Sequence, residues 1–279
     1  MRCDLLRTIG VAVLGAASLA PAADPTFLKR SIANVSPQAD DLTNEAKGAS
    51  YRPLFGAGDP QARYLKSIAR YGELTVDAGG NSALVTYPAE EQIYFILSGA
   101  GAVTCDGESV PVKVNDFLYL PPGSRHGVMN RAADPLRLLV MGFRIPSGAT
   151  VAISRRLMIA NTADVPLEEL AGHGPTTNFR LLMGTTESTR DKLPAASQMV
   201  SLFLMDFAPG GTNIPHHHEM EEEACDETSH HSSRNPLHYS SHRQRIHLHV
   251  EKHITGVPDF HEGNFLPNGA AIHCQLPIL

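Results

Sequence analysis

Short apolar runs separated by turn residues dominate the middle of the chain. Such runs occupy residues 82–87, 92–97, 117–120 and 136–143. Glycine and proline cluster between them, for example at Pro121-Pro122-Gly123, where the chain must change direction. Several short strands with regular turn signals are typical of an antiparallel sandwich or barrel. The pattern therefore predicts an all-β fold.

The same pattern divides the chain into segments. An apolar run at residues 198–207 is followed by the turn Pro209-Gly210-Gly211, so a second β unit begins with the organisation of the first. The polar, irregular residues 24–58 indicate an N-terminal arm or linker. We therefore assign residues 59–146 to a first barrel and residues 147–224 to the start of a second one.

The first residues of the chain have the features of a secretory signal peptide. Arg2 and Arg7 precede a short apolar run, and Ala20-Pro21-Ala22 supplies the small residues of a cleavage site. The apolar run is shorter than the ~20 residues needed to cross a bilayer. We therefore expect a signal peptide over residues 1–23, export to the periplasm or the extracellular space, and no membrane attachment after cleavage.

A histidine-rich segment that follows the second turn is a candidate metal site. In an extended strand His216 and His218 point to the same side, and Glu222 keeps their parity. Two imidazoles and a carboxylate that converge inside a barrel suit a divalent transition metal, and the spacing does not distinguish Mn, Fe, Ni, Cu and Zn. The segment is also rich in glutamate, so a solvated surface loop is the alternative. The net charge of −6 argues against nucleic acid as a partner.

The spacing of these residues resembles the first motif of the cupin superfamily, and specifically of its two-barrel members, the bicupins. That motif is Gly, five residues, His-x-His, three or four residues, Glu, six residues, Gly. Gly210, His216, His218 and Glu222 match it, whereas Ser229 stands at the closing glycine. The resemblance implies antiparallel jelly-roll (double-stranded β-helix) barrels, a metal held by the two histidines and the glutamate, and pairing of barrels, so that a homo-oligomer is plausible.

The first barrel fits the same frame with most of its metal ligands replaced. Thr86, Pro88 and Gln92 stand at the ligand positions of the first motif, and only His126 remains in the second motif, which covers residues 115–130. A single imidazole does not hold a transition metal, so the resemblance predicts no tight metal site in this barrel. We expect His126 to be either a hydrogen-bonded interior histidine or a ligand-binding residue in a metal-free pocket.

The C-terminal region departs from the family. Between residues 221 and 245 the only Ile, Val, Leu, Met or Phe is Leu237, too little apolar surface for a barrel wall. We therefore expect an irregular, disordered histidine-rich region over residues 225–279. Two interpretations remain open: the reading frame changes past Ala224, or the region is a genuine insertion or tail that binds metal loosely.

The family's fourth ligand is a histidine that follows Pro-x-Gly. His273 follows Pro267-Asn268-Gly269 and is the nearest match, although one residue too many separates it from the glycine. His247 and His249, which alternate as in a strand, are weaker candidates. The predicted metal set is therefore His216, His218 and Glu222 together with His273.

Two classes of function follow from the resemblance. The first is an exported, metal-dependent enzyme that acts on a small oxygenated substrate, of oxidoreductase, decarboxylase or isomerase type. The second is a non-catalytic cupin that binds a small molecule or has a structural or storage role. The surviving His216 and His218 favour the first class, and the replaced ligands of the first barrel favour the second.

Overall fold

A computed structural model describes residues 30–56, 65–148, 154–171 and 173–208 in full, together with the backbone of the strands at 27–31, 221–229, 244–250 and 269–277. The predicted signal peptide lies outside these residues, and export stays a prediction. The described part is all-β, as expected, with three single 3₁₀ turns at Ile32–Asn34, Asp41–Thr43 and Thr162–Asp164. It contains no helix long and apolar enough to cross a membrane.

The strands are β1 (Phe27–Ser31), β2 (Lys47–Gly56), β3 (Ile68–Asn81), β4 (Val85–Thr86), β5 (Glu90–Ser98), β6 (Ala100–Cys105), β7 (Glu108–Lys113), β8 (Asp116–Leu120), β9 (Arg125–Met129), β10 (Leu136–Arg144), β11 (Met158–Asn161), β12 (Thr177–Thr185), β13 (Leu193–Ala196), β14 (Ser201–Phe207), β15 (Glu221–Ser229), β16 (Gln244–Val250) and β17 (Gly269–Pro277). The apolar runs at 92–97, 117–120 and 136–143 lie within β5, β8 and β10. These three predicted strands are confirmed.

The first sheet curls around an apolar interior, and we call it the first barrel; it includes β2 and β11, which lie outside the predicted bounds 59–146. Its strand order is β11-β8-β5-β10-β3-β9-β6-β7, with β2 added to β3 and β4 added to β9, and its pairings are antiparallel. One hydrophobic cluster draws buried side chains from β2 to β10 and fills the interior. Among these side chains are Leu74, Ile96 and Leu138, none of which is exposed.

Strands β5, β8 and β10 are buried on both faces. In β5, Tyr94 and Ile96 belong to the barrel interior, whereas Ile93 and Phe95 belong to a second cluster on the outer face. That second cluster also contains residues of β12 and β14, so the outer face packs against the second unit. A sheet covered on both sides needs apolar residues at consecutive positions, which explains the uninterrupted run in β5.

The second unit is a seven-stranded sheet of order β1-β16-β15-β17-β14-β12-β13. Strands β12 and β14 are antiparallel, and β12 and β13 are parallel. Leu182, Met183 and Leu202 are fully buried in the cluster shared with the first barrel. Burial of such a side chain contributes about 1.5–3 kcal/mol relative to exposure, so the shared cluster joins the two units firmly.

The structure differs from the sequence prediction at the N-terminal segment. Residues 24–58 are predicted to be an arm or linker, but β2 pairs with β3 along most of its length. Tyr51, Leu54 and Phe55 of β2 are buried. The strand is difficult to recognise because its first half is polar and its apolar side chains are concentrated near the end. The predicted arm is therefore in part a strand of the first barrel.

The structure also differs in the C-terminal region. Residues 225–279 are predicted to be irregular, but they contain β16, β17 and the second half of β15, and β15 lies between the other two strands. The prediction rests on the low apolar content of the segment. Strand pairing depends instead on backbone hydrogen bonds, which any residue other than proline can complete. Residues 230–243 and 251–268 lie outside the described part, and both interpretations of this region's origin stay open.

Candidate functional site

The residues predicted to bind metal are only partly covered by the structure. His216 and His218 lie outside the described residues. Glu222 lies in β15 opposite Leu276, and His273 lies in the neighbouring β17 opposite Cys225. The structure thus places the backbones of two of the four residues on adjacent strands, and the metal set stays a prediction. Among the described side chains, no group of three or more His, Cys, Asp or Glu is arranged to hold a metal ion.

The interior of the first barrel contains a group of buried polar side chains, which we call the barrel cluster. Each member is less than a tenth exposed and carries one polar atom without a protein hydrogen-bond partner. The members and these atoms are Tyr51 (Oη), Tyr87 (Oη), Tyr94 (Oη), Gln92 (Oε1) and His126 (Nε2). They come from β2, β5 and β9 and from the residue that follows β4, so several strands contribute buried polar side chains to an interior that is otherwise apolar.

His126 has a defined tautomer. Its Nδ1 lies 3.0 Å from the carbonyl oxygen of Ser124, which can only accept, so Nδ1 carries the proton. Nε2 therefore presents a lone pair to the barrel interior. Burial lowers the pKa of His126 to about 4, so the ring is neutral at pH 7. The side chain is an uncharged hydrogen-bond acceptor.

Two phenol rings flank this imidazole. The ring centroids of Tyr87 and Tyr94 each lie 5.8 Å from that of His126. Burial raises the pKa of both tyrosines and of Tyr51 well above the ordinary value. All three hydroxyls therefore stay protonated, and each can donate one hydrogen bond and accept another.

Gln92 provides the second fixed acceptor of the barrel cluster. Its amide nitrogen donates to Oε2 of Glu90 at 2.9 Å, which leaves Oε1 for another partner. Gly142 of β10 is paired with Gln92 on one side and with Arg70 on the other. A Cβ atom at Gly142 would approach Gln92 Nε2 to 2.6 Å and Arg70 Cγ to 2.5 Å. Glycine at this position provides the space in which both side chains lie.

Charged residues border the barrel cluster. Arg70 Nε donates to Glu90 Oε2 at 3.1 Å, and its Nη1 lies 3.8 Å from Oδ2 of Asp40. The guanidinium also stacks on Tyr87, with Cζ 3.8 Å from the ring centroid. Burial alone would lower the pKa of Arg70, but Tyr87, Glu90 and Asp40 more than offset burial and the pKa is raised. This border has one positive and two negative charges.

Buried polar atoms of this kind require partners. An unsatisfied buried donor or acceptor costs about 1–3 kcal/mol, so five such atoms together are not tolerated without compensation. Water or a polar ligand satisfies them. The cluster offers two acceptors and three hydroxyls, which is a surface for binding a molecule by hydrogen bonds.

The sequence identified part of this site. His126 was expected to be an interior histidine or a ligand-binding residue, and its position and hydrogen bond confirm the interior location. The motif spacing placed Thr86 and Pro88 at the ligand positions, but both are exposed and Tyr87 between them faces inward. That assignment was wrong by one residue. Neither Tyr94 nor Gly142 is among the predicted site residues, although a glycine inside an apolar strand is a signal of close packing.

A comparison with protein families agrees with the resemblance predicted for the first barrel. Residues 72–142 match the family described as Cupin domain. An uncharacterized protein of Methanocaldococcus jannaschii is 35% identical over 71 residues, which are 25% of this chain and 57% of that protein. An oxalate-binding protein of Thermotoga maritima is 27% identical over 71 residues, or 25% of this chain and 59% of that protein. The matches span little more than half of these relatives.

Solved structures resemble the chain over most of its length. A protein from Pseudomonas aeruginosa described as glyoxylate-induced has a TM-score of 0.60 and 11% identity, and the alignment covers 90% of this chain and 88% of that one. A bacterial pirin from Escherichia coli, solved in complex with nickel(II), has a TM-score of 0.57 and 13% identity, covering 91% and 100%. At this identity the similarity establishes the all-β cupin-like fold, and the two-barrel assignment stays a prediction.

Proposed function

We propose that the first barrel binds a small polar molecule through hydrogen bonds and without a metal ion. The observation that carries this proposal is the barrel cluster, whose five buried polar atoms, Nε2 of His126 among them, lack protein partners. An oxalate-binding protein among the relatives supports a binding role for a barrel of this type. This is the second of the two function classes drawn from the sequence, and it requires no catalytic residue.

The chemistry of the donors favours binding without metal. The Nε2 lone pair of His126 is the one strong ligand atom for a transition metal in the barrel cluster. Gln92 offers a neutral amide oxygen in place of the family's carboxylate, and the phenols stay protonated because burial raises their pKa. One imidazole without anionic partners binds such metals weakly. Hydrogen bonding is therefore the interaction that this site supports best.

The proposal predicts ligand binding that survives metal removal. The full chain, treated with a chelator, is screened by thermal shift and calorimetry against small polar compounds. We expect a bound compound whose affinity falls at least tenfold in Gln92→Met and in His126→Gln, because each variant removes or displaces an inward acceptor. Thr86→Val is the matched control, since Thr86 is exposed and its removal should change the affinity by less than twofold.

The control also tests which side chains face the interior, Thr86 as the motif spacing predicts or Tyr87 as in the structure. If Thr86→Val reduces binding as strongly as Gln92→Met does, the side chains that face the interior differ from those of the structure. If binding disappears with the metal and returns with it, the metal-free site is contradicted.

The second candidate is a metal-dependent enzyme that uses the second unit. It is supported by the spacing of His216, His218 and Glu222 and by the nickel-bound pirin among proteins of similar fold. These three residues, with His273, would hold a divalent Mn, Fe, Ni, Cu or Zn ion, and the ion would supply Lewis-acid chemistry toward a small oxygenated substrate.

Metal analysis of the purified full chain tests this candidate. We expect about one metal ion per chain, with most of it lost in the His216→Ala, His218→Ala double variant. The double variant His230→Ala, His231→Ala removes two histidines of the same region that are not candidate ligands and serves as a control for loose binding. Equal metal loss in both double variants, or unchanged metal in the first, would contradict a defined site.

A further inference from the structure

We infer that the ligand of the first barrel is a neutral, hydroxyl-rich molecule of the polyol or sugar type rather than a carboxylate anion. The inference rests on the proposed function, because it names the chemical class that the barrel cluster recognises. Three observations carry it: the two fixed acceptors, the three protonated phenols, and the distribution of charge at the border.

The two acceptors require donors on the ligand. Nδ1 of His126 donates its proton to Ser124, so Nε2 can only accept. The amide nitrogen of Gln92 is held by Glu90, so Oε1 points away from that bond and also accepts. A ligand that satisfies both atoms brings at least two hydrogen-bond donors, and a fully ionised dicarboxylate brings none.

The phenols suit hydroxyl groups. Tyr51, Tyr87 and Tyr94 are each able to donate one hydrogen bond and accept another, because burial keeps them protonated. An alcohol has the same dual character, so it can complete the bonds of a phenol and an acceptor at once. A carboxylate oxygen would use only the donor half of each phenol and would leave the acceptors unsatisfied.

The charge at the border disfavours an anion. Arg70 is the cation in contact with the cluster, and it is already shared between Glu90 at 3.1 Å and Asp40 at 3.8 Å. The neutral ring of His126 adds no positive charge. One positive and two negative charges leave this border with a formal charge of −1, so a carboxylate that enters would lose its hydration next to an excess of negative charge.

Calorimetry with matched pairs of compounds tests the inference. Each pair consists of a polyol or sugar and the acid of the same carbon skeleton, for example xylitol and xylonate or glucose and gluconate, with oxalate as a small dicarboxylate. The full chain is used at pH 7.5 after chelator treatment. We expect the neutral member of a binding pair to bind at least tenfold more tightly than the acid, and oxalate to give no measurable heat.

A pair of variants tests the role of charge directly. In the Asp40→Asn, Glu90→Gln double variant the border changes from −1 to +1, and asparagine can still cap the turn that begins at Asp40. We expect the ratio of polyol affinity to acid affinity to shift at least tenfold toward the acid. Glu108→Gln, at an exposed position of β7, removes one charge away from the cluster and should leave the ratio unchanged.

The outcomes separate the inference from the proposal beneath it. If the wild-type chain binds an acid more tightly than its neutral partner, and Gln92→Met weakens that binding, the ligand class is wrong and the barrel site stands. An unchanged ratio in the double variant would also overturn the electrostatic argument. If no compound of either kind binds, both the ligand class and the proposed function fail.

Discussion

His126 shows how burial decides the chemistry of a single residue. The imidazole is 1% exposed, and burial lowers its pKa from the ordinary 6.5 to about 4. The hydrogen bond to Ser124 fixes its tautomer, which leaves one lone pair for the interior. A residue that is often a pH switch near neutrality is therefore a constant acceptor over the physiological range.

The lowered pKa of His126 predicts acid sensitivity. Between pH 6.5 and about 4 the unfolded chain binds a proton at this residue and the folded chain does not, so the free energy of unfolding decreases as the pH falls through this window. Urea denaturation at several pH values, compared with His126→Gln, should show a loss of about 2–3 kcal/mol that the variant lacks. Parallel pH profiles for the two proteins would contradict this assignment.

At the scale of elements, the sequence predicts strands better than the directions of their side chains. The strands β5, β8 and β10 are visible in the sequence as apolar runs, and the structure explains these runs because the three strands are buried on both faces. The face that a side chain occupies depends on register, and a shift of one residue reverses it. The motif spacing predicts that Thr86 and Pro88 face the interior, whereas in the structure both are exposed and Tyr87 is buried.

The missed strand and the missed site residues have related physical causes. β2 is held mainly by its ladder with β3, and pairing between distant segments is not visible in local composition. Tyr51 belongs to the barrel cluster and lies on this strand, so the prediction of an arm over residues 24–58 leaves Tyr51 out of the site. Of the barrel cluster, only His126 and Gln92 can be found from the sequence, because both stand at positions of the two spaced motifs.

At the scale of the whole molecule, Glu91 joins the two units. Its carboxylate is fully buried and accepts the backbone N–H groups of Ser197 at 2.6 Å, Gln198 at 2.9 Å and Met199 at 2.8 Å. Burial raises the pKa of Glu91, and these hydrogen bonds to the charged form act against that rise. A segment of the second unit is thus held by one side chain of the first barrel.

Replacement of Glu91 by glutamine should weaken this junction. The amide offers one acceptor instead of two, and its NH₂ group would face the N–H of Ser197, which now lies 2.6 Å from Oε2. We expect Glu91→Gln to lower the free energy of unfolding by about 1–3 kcal/mol, measured by urea denaturation at pH 7. Glu169→Gln, at an exposed position, is the control and should change it by less than about 0.5 kcal/mol. Equal stability of the two variants would show that the junction contributes nothing.

The side chains of Glu90, Glu91 and Gln92 alternate along β5, so this strand serves two different parts of the molecule. Glu90 and Gln92 are hydrogen-bonded to each other at the barrel cluster, whereas Glu91 faces the second unit and accepts hydrogen bonds from it. An insertion or deletion of one residue within the strand would reverse the faces, so that the carboxylate of Glu91 would enter the barrel cluster and the amide of Gln92 would face the second unit. The spacing of residues along β5 is therefore fixed by two independent contacts, and a single change in length would disrupt both of them.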